Sequence, residues 1–377
     1  MLQVCSKTKS NISNKIGRCR YLTSSYKMKY YFLVTFFISI NGNEYFVSVK
    51  KLQEIANNVN TATNSTWQAA IPGPIWSTDG SDVNFKPLLG AFDPAQAPQV
   101  LWDHDDEANN CKENGLPKCF DAREHWPECA SVIGHVYDQG NCGSCWAIAP
   151  ASVVSDRVCI ESKGKITSLY SIQQLLSCCH ECKVKSDKLN GCEGGWPSPA
   201  WAYIKTTGLS TGGDYGSKQG CQPYLIEHCD HHLDVPVYAS CSSQPDVRAS
   251  KCEDHCNNTS YKKSFKEDRI KVEKYYKISP CAAQNEIHKY GSIAALFTIY
   301  EDFPTYKSGI YQHITGKKIG LHIIRVIGWG EEKGIPYWLA VNSWNKHWGE
   351  KGYVKILRGS NDVRFEDNLS AGRPKMH

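Results

Sequence analysis

An α+β chain is expected here, on three observations. Ser144 to about Glu161 reads as a helix, and Ser171 to Cys178 as a shorter one. From Ile293 onward the apolar runs are short and rich in β-branched residues, as strands are. Between these regions, residues 182–260 are dense in Cys, Gly and Pro and are expected to be loops stapled by bridges. A helix-and-loop half therefore precedes a β-rich half, and a cleft between two such halves is a natural place for a site.

Taken in order, the chain opens with residues rich in Lys and Arg and lacking acids, up to Lys27 and Lys29. The apolar run Tyr30 to Ile40 comes next, too short to span a bilayer and closed by the small and polar Ser39, Asn41 and Gly42. That is the basic and apolar pattern of a secretory signal, with a buried N-terminal helix as the alternative. Both Met1 and Met28 remain open as the start. Val47 to Val59 has helical spacing (Val47, Leu52, Ile55, Ala56, Val59), and Trp67-Gln68-Ala69 lies beyond it. Ile71 to Asn114 is rich in Pro, Gly and Asp without periodicity, and is expected to drape in extended form over something else. Composition turns globular from about Leu116. The predicted strands are Ile293 to Phe297, Ile323 to Trp329, Tyr337 to Val341 and Gly352 to Leu357.

The chain has 377 residues, is 41% hydrophobic and 21% charged, and carries a net charge of +5. A balance this mild implies neither nucleic acid nor an anionic membrane as partner. Its 18 cysteines are more telling, with tight groups at Cys178, Cys179 and Cys182, at Cys229 and Cys241, and at Cys252 and Cys256. In a reducing cytosol such groups suggest zinc; behind a secretory signal they suggest disulfides, and no metal or cofactor is expected. Asn64-Ser65-Thr66 and Asn257-Asn258-Thr259 are candidate glycan acceptors.

The most informative stretch is Gln139-Gly140-Asn141-Cys142-Gly143-Ser144-Cys145-Trp146. It puts Cys145 in the first turn of a helix, where unpaired N–H groups favour a thiolate. A nucleophilic Cys also needs a base and a group that orients the base. His322 and Asn342, in Val341-Asn342-Ser343-Trp344, are the candidates.

From about Trp67 to Pro374 the sequence resembles cathepsin B, a papain-fold cysteine peptidase. The likeness is carried by the Cys145 motif and by Phe120-Asp121-Ala122-Arg123, Ser155-Asp156-Arg157, Gly194-Gly195, Cys221-Gln222-Pro223-Tyr224, His231-His232, Gly328-Trp329-Gly330 and Tyr337-Trp338-Leu339. The resemblance implies a papain-like two-domain fold, with a helical left domain, a β-barrel-like right domain and the cleft between. It divides the chain into an extension and signal peptide (1–42), an inhibitory prosegment (43–115), a mainly helical, disulfide-rich half (116–260) and a β-rich half (261–377). It implies Cys145 as nucleophile with a thiol titrating near 3–4, and His322 as general acid–base. Asn342 would orient the imidazole, Trp344 would shield it, and Gln139 would help form an oxyanion hole. Gly194 and Gly195 would hold substrate as a strand.

His322 and Asn342 lie 177 and 197 residues after Cys145, farther than the roughly 130–150 residues of simpler papain-type chains. The extra residues match an occluding loop, Cys229 to Cys241, whose His231 and His232 would bind a substrate's C-terminal carboxylate; a surface His pair is the alternative. Six bridges are implied: Cys129–Cys159, Cys142–Cys192, Cys178–Cys252, Cys179–Cys182, Cys221–Cys256 and Cys229–Cys241. Of the cysteines left over (Cys5, Cys19, Cys111, Cys119 and Cys281), Cys111 and Cys119 are close enough in sequence to pair.

The chain also departs from the pattern. Pro150 lies inside the nucleophile's helix, at a cost of about 3 kcal/mol in a regular helix, and could displace Cys145. Leu321 and Ile323 replace small residues around His322, and Glu193 replaces an Asn. In the loop, His231 keeps its expected partner Asp138, but the second anchor is missing: residues 229–241 contain no Arg, and His347 stands where an Asp is expected. The expected result is a looser loop with more endopeptidase and less dipeptidase character. Asn368 replaces an acid at the base of the pocket for the second residue before the cut, which predicts weaker basic preference there.

The expected function is thus a cysteine peptidase made as a secreted zymogen, lysosomal or extracellular, an endopeptidase with peptidyl-dipeptidase activity as a second mode. Its partners would be peptide substrates, its own prosegment and cystatin-type inhibitors. A catalytically weakened paralogue acting as a decoy, and an acyltransferase, are the alternatives.

Overall fold

The computed structural model describes residues 46–71, 82–111, 115–184, 191–230, 237–244 and 247–376. The expected signal, Cys5, Cys19 and the His231-His232 pair lie outside these residues. No helix among the described residues is long and apolar enough to cross a membrane.

A short strand, β1 (Phe46–Ser48), leads into helix α1 (Val49–Thr61). The helix starts later than its apolar spacing suggested because the Ser48 hydroxyl accepts from the Lys51 N–H, fixing the cap. Val49, Leu52, Ile55, Ala56 and Val59 form its buried face. Strand β2 (Trp67–Ala69) pairs antiparallel with β7 (Tyr306–Tyr311), and β3 (Asp82–Asn84) pairs with β1. The chain from residue 85 to 111 then runs extended with single 3-10 turns, as its composition predicted.

Helix α2 (Cys145–Glu161) is buried at every residue from Cys145 to Cys159, which is why it is apolar on all sides. Pro150 does not break it. The proline removes one donor, and packing around the whole helix holds the remaining turns. Helix α3 (Ile172–Cys178) begins at Ser171, whose hydroxyl accepts from Gln174 N–H. Inside the stretch expected to be loops lies helix α4 (Pro197–Thr206). Its prolines fall in the first turn, where an N–H has no intrahelical partner anyway, and Ala200, Trp201 and Ile204 bury one side.

The β-rich half adds β5 (Val272–Ile278), helix α5 (Ala283–Tyr290), β6 (Ile293–Tyr300), β8 (Lys318–Glu332), β9 (Ile335–Val341), β10 (Tyr353–Leu357) and β11 (Leu369–Pro374). Their sheet runs β2-β7-β10-β9-β8-β6-β11-β5, with β4 (Phe120–Asp121) attached to β8. All its pairs are antiparallel except β7–β10. The barrel-like expectation is corrected to an open sheet: among the described residues no ladder joins β2 to β5. One end is instead completed by β2, a strand from the leading segment.

All six expected bridges are formed. Cys111 and Cys119 do not pair. Cys111 bonds to Cys281, and Cys119 is exposed and free. The reason is local zipping: Ser279 N–H donates to Ala108 O (2.9 Å), Ser279 Oγ to Asn109 Oδ1 (2.8 Å), and Lys289 pairs with Glu107 (2.8 Å). Those contacts carry Cys111 to the turn before α5.

Candidate active site

Gly140 has φ +61°, and a Cβ there would meet Glu227 O at 2.3 Å. This tight bend delivers Cys142, Gly143 and Ser144 to the start of α2. Gly143 N–H donates to Cys192 O (2.8 Å), and Ala147 and Ile148 N–H both donate to Ser144 O. Cys145 thus occupies the first helical position, fully buried and not disulfide-bonded.

His322 lies within β8 and Asn342 just after β9; the antiparallel β8–β9 pairing sets them side by side. Asn342 Oδ1 accepts from Ser343 N–H (2.8 Å), which identifies it as the amide oxygen. His322 Nε2 lies 2.8 Å from the same oxygen and must therefore donate, leaving Nδ1 as the basic nitrogen. The Trp344 ring lies over this pair, its centroid 4.9 Å from that of the imidazole. Phe297 closes another side, at 5.9 Å.

Gln139 is oriented from the other direction. Its Oε1 accepts from Ser343 Oγ (2.7 Å), so its Nε2 points into the cleft. That donor holds Pro87 O at 2.5 Å and Cys142 O at 3.1 Å. Gly195 N–H donates to Gly90 O (3.0 Å), and Phe92 N–H donates to Gly195 O (3.0 Å). The backbone at 90–92 thus lies along Gly195 like a strand, and Ala91 and Gly195 form a parallel bridge. Phe92 packs edge-on against Trp196 (5.1 Å) and covers Gly194.

Covered in this way, the Cys145 thiol is disfavoured as an anion. Burial pushes it up to about 12, against the pull of backbone N–H groups of Ile323, Gly90, Trp146 and Cys145 itself. With the leading segment in place, burial favours the neutral thiol.

One supporting arrangement was not legible beforehand. Arg325, three residues after His322, donates to Asp156 Oδ1 on α2 (2.7 Å) and to His135 O (2.7 Å). This buried pair clamps the helix of Cys145 to the strand of His322. Burial pushes the Asp156 carboxyl up to about 6 while Arg325 draws it down. Asn368, expected in a pocket, lines one together with Pro94, Trp102, Leu296, Ile323 and Lys277. Asn368 thus sits at a pocket wall, and the charge contributed there is basic, not acidic.

In the disulfide loop, Asp138 makes its ion pair with His228 (3.4 Å), a histidine the sequence had not singled out. The expected Asp138–His231 contact lies outside the described residues. Asp230 accepts from Val237 N–H (2.5 Å) and Tyr238 N–H (2.9 Å), closing the loop beside Cys229–Cys241. The Asp138 carboxylate, through its hydrogen bond, raises His228 above its ordinary 6.5, with Asp214 and Glu227 adding to the effect. A raised histidine stabilises fully below its unfolded value and loses that contribution as pH rises through the folded one. Limited proteolysis of the loop should therefore accelerate as pH rises above the ordinary histidine value of 6.5, and His228→Ala should remove the step. Equal cleavage rates at acid and alkaline pH in the unaltered chain would contradict this.

Comparisons with known proteins agree with the geometry. Residues 116–373 match the family model described as papain family cysteine protease. The chain is 44% identical over 275 residues to a "Cathepsin B-like cysteine proteinase 1" of Ostertagia ostertagi, covering 73% of this chain and 77% of that one. It is 37% identical over 353 residues to a "Cathepsin B-like cysteine proteinase 4" of Caenorhabditis elegans, covering 93% and 100%. Among solved structures, a procathepsin B from Trypanosoma congolense superposes with TM-score 0.67 at 29% identity, covering 86% of this chain and 98% of that one.

Proposed function

The chain belongs to the papain family of cysteine proteases and is cathepsin B-like, and we propose that it is an acid-activated endopeptidase made as a zymogen in the secretory pathway. In this reading residues 43–115 are its prosegment. The observation that supports it best is that peptide backbone already occupies the cleft, with the Pro87 carbonyl on Gln139 Nε2 and Gly90 over the nucleophile.

Once that segment leaves, His322 Nδ1 takes the Cys145 proton and the thiolate attacks the scissile carbonyl carbon. The oxyanion is received by Gln139 Nε2–H and Cys145 N–H, each such donor contributing about 3 kcal/mol to the transition state. The imidazolium, held by Asn342 under Trp344, returns its proton to the departing amine. Water, deprotonated by His322, then cleaves the thioester and frees Cys145. Dipeptide release from C-termini, through His231 and His232, would be the lesser activity because the loop lacks its second anchor. The decoy alternative is not favoured, since the chain matches the papain family of cysteine proteases and relatives named as cathepsin B-like cysteine proteinases.

The test is cleavage of dipeptidyl reporters at about pH 5 with a mild thiol and a Cys145→Ala control. Phe at the second position should be cleaved better than Arg, because Asn368 and Lys277 offer no acid to that pocket. Activity that survives in the control would remove the peptidase reading; a preference for Arg would remove the Asn368 assignment.

A further inference from the structure

We propose that the outer edge of β5 is a docking site for an extended acidic segment of a protein substrate, uncovered when the leading segment departs. This site rests on the reading of residues 43–115 as a removable prosegment and extends it to a surface outside the cleft.

Strand β5 ends the sheet, with β11 paired on its inner side. Tyr275 turns its backbone to the outer side, where Asp103 covers it. Asp103 N–H donates to Tyr275 O (3.0 Å), and Tyr275 N–H donates to Asp103 Oδ2 (2.9 Å). The Tyr275 hydroxyl donates to Leu101 O (2.9 Å), and the Trp102 ring lies 5.4 Å from that of Tyr275. Just past the strand, Ser279 N–H donates to Ala108 O (2.9 Å). The leading segment thus borders the edge as an added strand would.

Its side chains follow the same alternation. Asp103 pairs with Lys205 of α4 (2.6 Å), and Asp105 with Lys274 of β5 (2.5 Å) and Arg373 of β11 (3.2 Å). Glu107 pairs with Lys289 of α5 (2.8 Å) and again with Arg373 (3.4 Å). His104 and Asp106, the residues between, point away, their side chains 81% and 96% exposed. Every second residue is an acid facing the enzyme, which is the spacing of a strand. Among the described residues these four cations form ion pairs with no other acid.

Departure of the segment leaves four neighbouring cations without counter-charge and a strand edge with open N–H and C=O groups. The charges attract an anionic replacement, and the edge takes up another backbone. Together they select a peptide with acids at alternate positions over a bare polyanion. The edge also continues into the cleft: Lys277 of β5 lines the Asn368 pocket, and its ammonium lies 5.7 Å from the Trp102 ring. A substrate held in the cleft therefore reaches the edge along one surface, which makes a substrate the occupant.

The experiment uses processed enzyme from which reductant has released the leading segment. One Phe-containing dipeptidyl reporter is joined through a Gly-Ser linker to either of two tracts of equal charge, Glu-Thr-Glu-Thr-Glu or Glu-Glu-Glu-Thr-Thr. The alternating tract should lower KM about tenfold against the block, with kcat unchanged and the ratio shrinking as salt is added. Lys274→Gln should bring the ratio near one while cleaving the unextended reporter at the unaltered rate. Two tracts that lower KM equally overturn the peptide assignment and leave a surface for any polyanion, sulfated polysaccharides included. Tracts that perform like the unextended reporter overturn docking altogether. If Lys274→Gln does not mature, the unaltered enzyme's KM ratio and its salt dependence decide. A segment that stays bound after cleavage and reduction defeats the prosegment reading together with the site. Failure to cleave even the unextended reporter, by contrast, counts against the peptidase reading itself.

Discussion

Cutting the chain between Cys111 and Leu116 is expected to leave the prosegment covalently attached. Cys111 is bonded to Cys281, 170 residues away in the β-rich half, so a break in the intervening backbone opens no route for the segment to leave. Under reducing conditions the processed chain should run as two pieces on a gel; without reductant it should run as one. Activity should divide in the same way. A severed but untethered inhibitor is diluted away, whereas one held by a short link stays at an effective concentration of roughly millimolar. Lys86, Pro87 and Gly90 would then keep returning to Glu193, Gln139 and Cys145. Processed enzyme should consequently show weak activity until Cys111–Cys281 is reduced. Cys111→Ser should release the segment on cleavage alone, and its labelling of Cys145 by a thiol-directed probe should no longer track reductant concentration. A free prosegment from the unaltered chain without reductant would defeat the expectation.

The difference between the expected Cys111–Cys119 bridge and the observed one shows what a sequence makes visible. The Cys145 motif was readable because its chemistry is local: a Gly bend, a thiol and a helix start are contiguous in the chain. The helix over Cys145–Glu161 and the strands around His322 and Asn342 were readable for the same reason, as apolar runs long enough to bury. Pairings across the chain were different. Cys111 meets Cys281 because Glu107 to Asn109 zips onto Ser279 and Lys289, contacts between residues whose types suggest nothing special. Arg325 on Asp156 is likewise set by the register of a sheet against a helix. Strands β5 and β7 went unseen because Lys and Glu interrupt the first and Gly309 the second, so neither alternates cleanly. Helix α4 was hidden by its prolines, which local composition reads as breakers but which a first turn accepts. Glu193 was noticed as a departure, but its ion pair with Lys86 joins residues far apart in sequence and was not legible.

A side chain at Gly90 is expected to uncover the nucleophile before any cleavage. A Cβ built there would lie 2.4 Å from Gly143 O, 2.5 Å from Gly143 C and 2.8 Å from Cys145 Sγ. Two of those three atoms are backbone of the bend that Cys142–Cys192 pins, so the catalytic side cannot give way and the segment must lift. Overpacking of this kind costs about 1–3 kcal/mol, which shifts the closed-to-open balance by roughly five- to hundredfold. Lifting has a second consequence. The thiol is pushed up to about 12 by burial, and readmitting water lowers that barrier to ionisation. Both effects act in one direction, so uncleaved Gly90→Ala zymogen should react with a thiol-directed probe at neutral pH at least tenfold faster than the unaltered zymogen. Leu101→Ala is the matching control: it lies in the same segment, but its side chain is 92% exposed, and it should label at the unaltered rate. If Gly90→Ala labels no faster, the seat at Gly90 does not hold the segment closed. The grip would then have to come from Pro87 on Gln139 and the strand along Gly195, and Lys86→Ala would be the substitution to loosen it.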